Sequence, residues 1–233
     1  MSGLVASAMI APLAYAFDAA TMQNASGKRH LEHALAHFAR QAVTDIRRFC
    51  GPEFYLQLLT LMGTFGLANL LTACGVTGVA KLIPLTLVAS TLSIHKDMSL
   101  TLASGQRAPA PFPLASKVLF LGRDLINIAA VFLLPPALTP RLQSLLRLGP
   151  TAAIVAAQFL CPFLAQLAQT FVHLLGLTFY NRPDAAPAER VREVRSQFAK
   201  AYAARVSRTA VVYSAGGTLN RALLAWAGHG GLL

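Results

Sequence analysis

Charge is scarce in this chain, and acid is scarcer. Charged residues make up 12% of the 233, where a soluble domain carries about 25%. An ordinary water-facing surface over most of the molecule is thereby excluded. Asp and Glu number nine. Cysteine is confined to Cys50, Cys74 and Cys161. Their spacing fits neither a zinc site nor a disulfide framework, so each reads as a small buried hydrophobe. Nucleophile–histidine–acid spacing, a phosphate-cradling glycine loop and metal motifs are absent, which leaves no enzyme constellation. Nucleic-acid-binding motifs are absent too. The net charge of +11 is therefore read as attraction to anionic lipid headgroups, with no nucleic-acid partner.

What the chain does have is long apolar runs: 55% of its residues are hydrophobic. The segment 148–181 holds no Asp, Glu, Lys or Arg. As a helix at about 1.5 Å per residue it exceeds a bilayer core of roughly 30 Å, so it is a tilted or kinked span, with Pro162 at the kink. Gln158, Gln166, Gln169 and His173 fall on one face of it, a face that needs other spans or a wet cavity against it. Further spans are expected at about 4–22, 53–70, 74–94, 114–138 and 206–226. The first is read as retained, with a cleaved signal as the alternative. Pro135-Pro136 is expected to end the fourth span, since proline breaks helices.

Between the spans lie three polar loops. The first, 24–52, carries Leu31, Leu35, Phe38, Ala42 and Ile46 at spacings of three and four, the mark of an amphipathic surface helix. His30, His33 and His37 also share a helical spacing, and a wet polar face is the preferred reading over a metal site. The second loop, 95–116, contains Pro109, Pro111 and Pro113, and the third, 181–208, has a helix start at Pro187. These loops hold 5, 2 and 7 basic residues. They follow spans one, three and five, so with six crossings they share one side, the negative compartment by the positive-inside rule. The fold class is all-α: a polytopic membrane bundle of about six spans in three hairpin repeats, at about 4–70, 74–138 and 150–227, within one membrane domain.

Ionisable residues inside spans are candidates for function by default. They are Asp18, Lys81, Arg123, Asp124, His173 and Arg208, assigned to a cavity or to contacts between spans. Arg123 and Asp124 are neighbours about 100° apart on a helix, which disfavours their pairing with each other. Arg47, Arg48, Arg182, Arg192 and Arg195 lie in the basic loops as candidate contacts for lipid headgroups.

The pattern of span, basic loop and span, three times over, resembles the mitochondrial carrier family in a divergent form. FLGRDLINIAAVFLLP looks like that family's fourth span, YAARVSRTAVVYSAGGTLN its sixth, and GVTGVAKLIPLT the approach to its third-span proline. The family's gate signature is Pro, an acid two residues on and a base three further. After Pro84 those places hold Thr86 and Ala89, and after Pro162 they hold Leu164 and Leu167. In span one Asp18 stands for the acid, with Ala16 and Thr21 for its companions. The resemblance implies a multi-pass protein of the mitochondrial inner membrane, with its basic loops in the matrix and an anionic lipid such as cardiolipin bound. With the gate charges missing, it implies an accessory, non-catalytic subunit of a larger assembly, a respiratory complex or ATP synthase, partnered by other membrane subunits. The alternatives are a solute transporter with a non-standard gate, for an anionic metabolite, and an outer-membrane adaptor of the same fold.

Overall fold

The computed structural model describes residues 2–25, 28–104, 113–210, 212 and 216–226. The described part is all helix and connecting turns. The helices are α1 (Ser2–Ala25), α2 (Leu31–Thr44), α3 (Ile46–Phe49), α4 (Pro52–Ala73), α5 (Gly78–Ala103), α6 (Leu114–Ile128), α7 (Leu134–Leu146), α8 (Pro150–Asn181), α9 (Pro187–Thr209) and α10 (Gly216–Trp226). A π-helical turn, Ala129–Leu133, joins α6 to α7.

Five stretches are long and apolar enough to cross a bilayer: Gly3–Asn24, Pro52–Ala73, Gly78–Leu100, Leu114–Leu146 and Pro150–Tyr180. Burial is inverted relative to a water-soluble bundle. Leu13, Leu59, Ile83, Leu125, Leu164 and Phe171 are exposed, whereas Gln57, Thr64, Ser90, Gln158, Gln166 and Gln169 are buried. Water would reverse that choice, and hydrocarbon enforces it. The chain is a multi-pass membrane protein.

Consecutive long helices pack against each other, α1 on α4, α4 on α5, α6 on α8 and α8 on α9. The link between α4 and α5 is the tight turn at 74–77, closed by Gly75 (φ 75°) and Gly78 (φ 58°), a left-handed backbone that side chains resist. It falls later than the NLLTACG stretch alone implies, so the third span starts at Gly78 and its helix runs on to Ala103. Cys74 caps α4 in an exposed position, and Cys50 is half-buried; of the three cysteines, Cys161 is the buried one.

Pro135 and Pro136 do not end the fourth span. They occupy the first turn of α7, where a proline's missing N–H costs nothing. The π turn ahead of them widens the hydrogen-bond ladder, and the Gln158 amide donates to the Val131 carbonyl within it, a long bond at 3.5 Å.

Helices α2 and α3 lie over the end of the bundle. Tyr15 of α1 meets Phe38, Phe49 and Phe54 edge-on, with ring centroids 5.7, 5.1 and 5.8 Å away. Phe38 and Ala34 are the buried residues of α2, and Ile46, in α3, is exposed. His37 faces outward among Arg29, Arg48 and Arg40; partial burial first, and then those cations, hold its imidazole below its ordinary pKa. Proline at its first turn starts α9, as its missing N–H favours. Arg190 then folds back, donating to the carbonyls of Thr178 and Pro183 at 2.7 Å each and stacking 4.2 Å over Phe179. A cation there complements the negative end of the α8 dipole. Of the prolines in the second polar loop, Pro113 caps α6, and Pro109 and Pro111 lie outside the described residues.

Candidate functional site

The buried polar faces of five helices converge toward the end of the bundle that carries α2. Asp18 is on α1, Lys96 and Asp97 on α5, Arg123 and Asp124 on α6, His173 on α8, and Arg208 on α9. They form a chain of alternating sign. Arg208 pairs with Asp18 through its Nε. Asp18 also accepts from Lys96 at 2.5 Å. Lys96 lies 3.3 Å from Asp97, and Asp97 is 3.1 Å from Arg123. Arg123 closes on Asp124 at 2.8 Å.

That last pair forms although the helix geometry disfavours it. The two Cα–Cβ vectors do diverge, but the arginine stem is long enough to curl around the helix surface. Arg123 then spends its remaining donors on other helices. Nη1 donates to Asp97 at 3.1 Å and lies 3.0 Å from His173 Nδ1, and Nη2 donates to Ser93 Oγ at 3.0 Å. A guanidinium only donates, so His173 receives at Nδ1 and its ring proton sits on Nε2. Ser93 passes its own proton to Asp124 at 2.7 Å.

Taking such charges out of water costs several kcal/mol each unless they are paired and hydrogen-bonded. Here each acid holds a cation, and the Ser93 hydroxyl adds a neutral donor to Asp124. The chain therefore works as a fixed electrostatic frame, sited where a bilayer would otherwise reject every member of it.

The frame borders a cavity of about 60 Å³, lined also by Thr60 and Thr64 of α4, Asn127 of α6, Gln169 of α8 and Arg205 of α9. That volume accepts a few water molecules and not a whole metabolite. Its walls carry three acids (Asp18, Asp97, Asp124) and four permanent cations (Lys96, Arg123, Arg205, Arg208). The lining carries both signs, with one cation in excess.

Of the six residues singled out from sequence, Asp18, Arg123, Asp124, His173 and Arg208 border this cavity. Lys81 does not. It sits near the start of α5, at the far end of the bundle, and donates to Thr72 across the 74–77 turn at 2.5 Å, with the Phe132 ring 5.4 Å away. Sequence reasoning missed Lys96, Asp97 and Arg205, which it left in polar loops. Their signal was positional: Lys96 falls seven residues after Ala89 and three after Ser93, on a face already polar. Gln158, Gln166 and Gln169 are buried together with His173, as one face of α8. The five loop arginines, Arg47, Arg48, Arg182, Arg192 and Arg195, are all exposed, and Arg182 lies 3.7 Å from Glu193. Among the described residues no three His, Cys, Asp or Glu gather as a metal site.

A family model described as "probable citrulline exporter" matches residues 2–225. No curated protein and no solved structure matches the chain. The match overturns the resemblance to mitochondrial carriers. Alternation of spans with basic loops is what the positive-inside rule imposes on any polytopic protein, so it does not distinguish one family from another. The comparisons lend the mitochondrial inner membrane and a respiratory or ATP synthase partner no support.

Proposed function

The chain belongs to the probable citrulline exporter family, and from that premise we propose that it moves a small zwitterionic amino acid, citrulline or a near analogue, out across the plasma membrane. The observation that carries this reading is the mixed lining of the cavity, with three carboxylates and four cations around about 60 Å³. A zwitterion presents one group to each sign. The role of the site residues follows. Asp18, Lys96, Asp97, Arg123, Asp124 and Arg208 hold the frame, and the cavity inside it widens in another state to admit solute.

The same reading completes the bundle with a sixth crossing, from α9 through α10. Two contacts support it. Arg190 lies beside Pro183 at one end of the molecule, and Asn220 exchanges two amide hydrogen bonds of 3.0 Å with Asn69 at the other. The three hairpins then span 4–70, 74–138 and 150–227 within one membrane domain, with the basic connections in the cytoplasm. There Arg47, Arg48, Arg182, Arg192 and Arg195 meet anionic lipid headgroups.

The test is counterflow of labelled citrulline in liposomes reconstituted with the purified protein. Accumulation against internal unlabelled citrulline supports the reading. Flux no greater than in empty liposomes overturns it.

A further inference from the structure

The cations of the cavity are not equivalent. Lys96, Arg123 and Arg208 each hold a carboxylate of the frame. Arg205 makes no salt bridge among the described residues. Its Nε donates to the Gln166 side-chain carbonyl at 3.1 Å, and its two Nη nitrogens bond no described protein group. A guanidinium held at Nε by a neutral amide, in the lining of the cavity, keeps a fork that matches a carboxylate bidentately.

Two further groups in the same lining are unsatisfied. Gln169 accepts from Gln166 Nε2 at 3.1 Å, which orients its amide, yet its own Nε2 is buried without a partner. Asn127 Oδ1 on α6 is likewise buried without a partner. A buried amide donor or acceptor left unmade costs roughly 1–3 kcal/mol, so such groups are retained where something else completes them. One is a donor and the other an acceptor, and both border the cavity that Arg205 borders. An uncharged group bearing both C=O and N–H, a carboxamide or a ureido group, satisfies the two at once. A side-chain ammonium or carboxylate satisfies one and opposes the other.

Resting on the exporter reading above, we propose that Arg205 binds the α-carboxylate of the solute, while Gln169 Nε2 donates to, and Asn127 Oδ1 accepts from, an uncharged amide or ureido group at its other end. Selectivity then has two independent parts. Arg205 demands a free carboxylate, and the Gln169–Asn127 pair demands a neutral side chain.

Citrulline counterflow in proteoliposomes tests this with three competitors: unlabelled citrulline, citrullinamide, which lacks the carboxylate, and ornithine, which carries an ammonium in place of the ureido group. In the wild type, citrulline competes and the other two compete at least about 30-fold more weakly, the lower bound for truncating one member of a buried charged pair. R205Q raises the citrulline KM by a similar factor, R205K by less, and Q169L narrows the gap between citrulline and ornithine. No citrulline flux in the wild type sinks the exporter reading itself. Flux that citrullinamide inhibits as well as citrulline does, or that R205Q leaves with an unchanged KM, overturns the assignment of Arg205 and keeps the exporter. If R205Q fails to elute as a monodisperse species, R205K and the wild-type competition series still decide.

Discussion

Asp18 and Lys96 are 78 residues apart in the chain and 2.5 Å apart in space. Their contact ties α1 to α5. Asp18 also holds Arg208, so one carboxylate serves two cations from two helices. Replacing it leaves both cations facing a neutral amide within a bilayer. D18N is expected to cost about 3–5 kcal/mol, the range for removing one partner of a buried ion pair. K96M costs less, because Asp18 keeps Arg208 and Asp97 keeps Arg123. Thermal melts of the two variants in one detergent give the order, and a K96M melt below that of D18N contradicts it.

Arg123 joins α6 to α5 and α8 through donors that leave in three directions. A lysine keeps the charge and loses the fork. R123K is expected to retain the fold and to lose about 2 kcal/mol of stability, the scale of a hydrogen bond to a charged group. Its solute flux falls with it, since His173 is no longer held at Nδ1. Wild-type flux and melting in R123K would show that the fork is not used.

Lys81 is bonded to Thr72 on the far side of the bundle. The K81M variant is expected to transport within about twofold of wild type, and to lose no more than about 2 kcal/mol, one hydrogen bond from a charged group. Counterflow of citrulline measures this. A loss comparable with that of R205Q would place Lys81 on the solute path.

Cys74 is exposed at the end of α4 opposite α2. With the basic connections in the cytoplasm, it faces outside. A membrane-impermeant maleimide is expected to label intact cells, and C74S to abolish the signal, since Cys161 is buried and Cys50 half-buried. Labelling that appears only after lysis would invert the orientation.

The spans were legible because hydrocarbon selects for apolar length, and the glutamine face of α8 because helical spacing survives in the sequence. Asp18, Arg123, Asp124, His173 and Arg208 could be listed because an ionisable side chain inside an apolar run stands out. Lys96 and Asp97 did not stand out. They sit at the end of an apolar run, where polar residues read as loop, and only the contacts with Asp18 and Arg123 show that the helix carries them inward. Arg205 was hidden in the opposite way. It is one base among the many of α9, of which Arg192, Arg195 and Lys200 are exposed. The π turn before Pro135 was illegible because a proline's tolerance depends on the ladder geometry ahead of it. The family was misread because a pattern shared by many polytopic proteins was taken as one family's mark.

Asp97, like Asp18, is held twice, by Lys96 and by Arg123. A helix sliding away from either acid takes one cation with it and leaves another in place. Neither acid is left as a bare ion by the loss of one partner. The several kcal/mol that an isolated buried charge would add to the barrier are replaced by a handover between partners, so a rigidly charged interior remains compatible with rapid turnover.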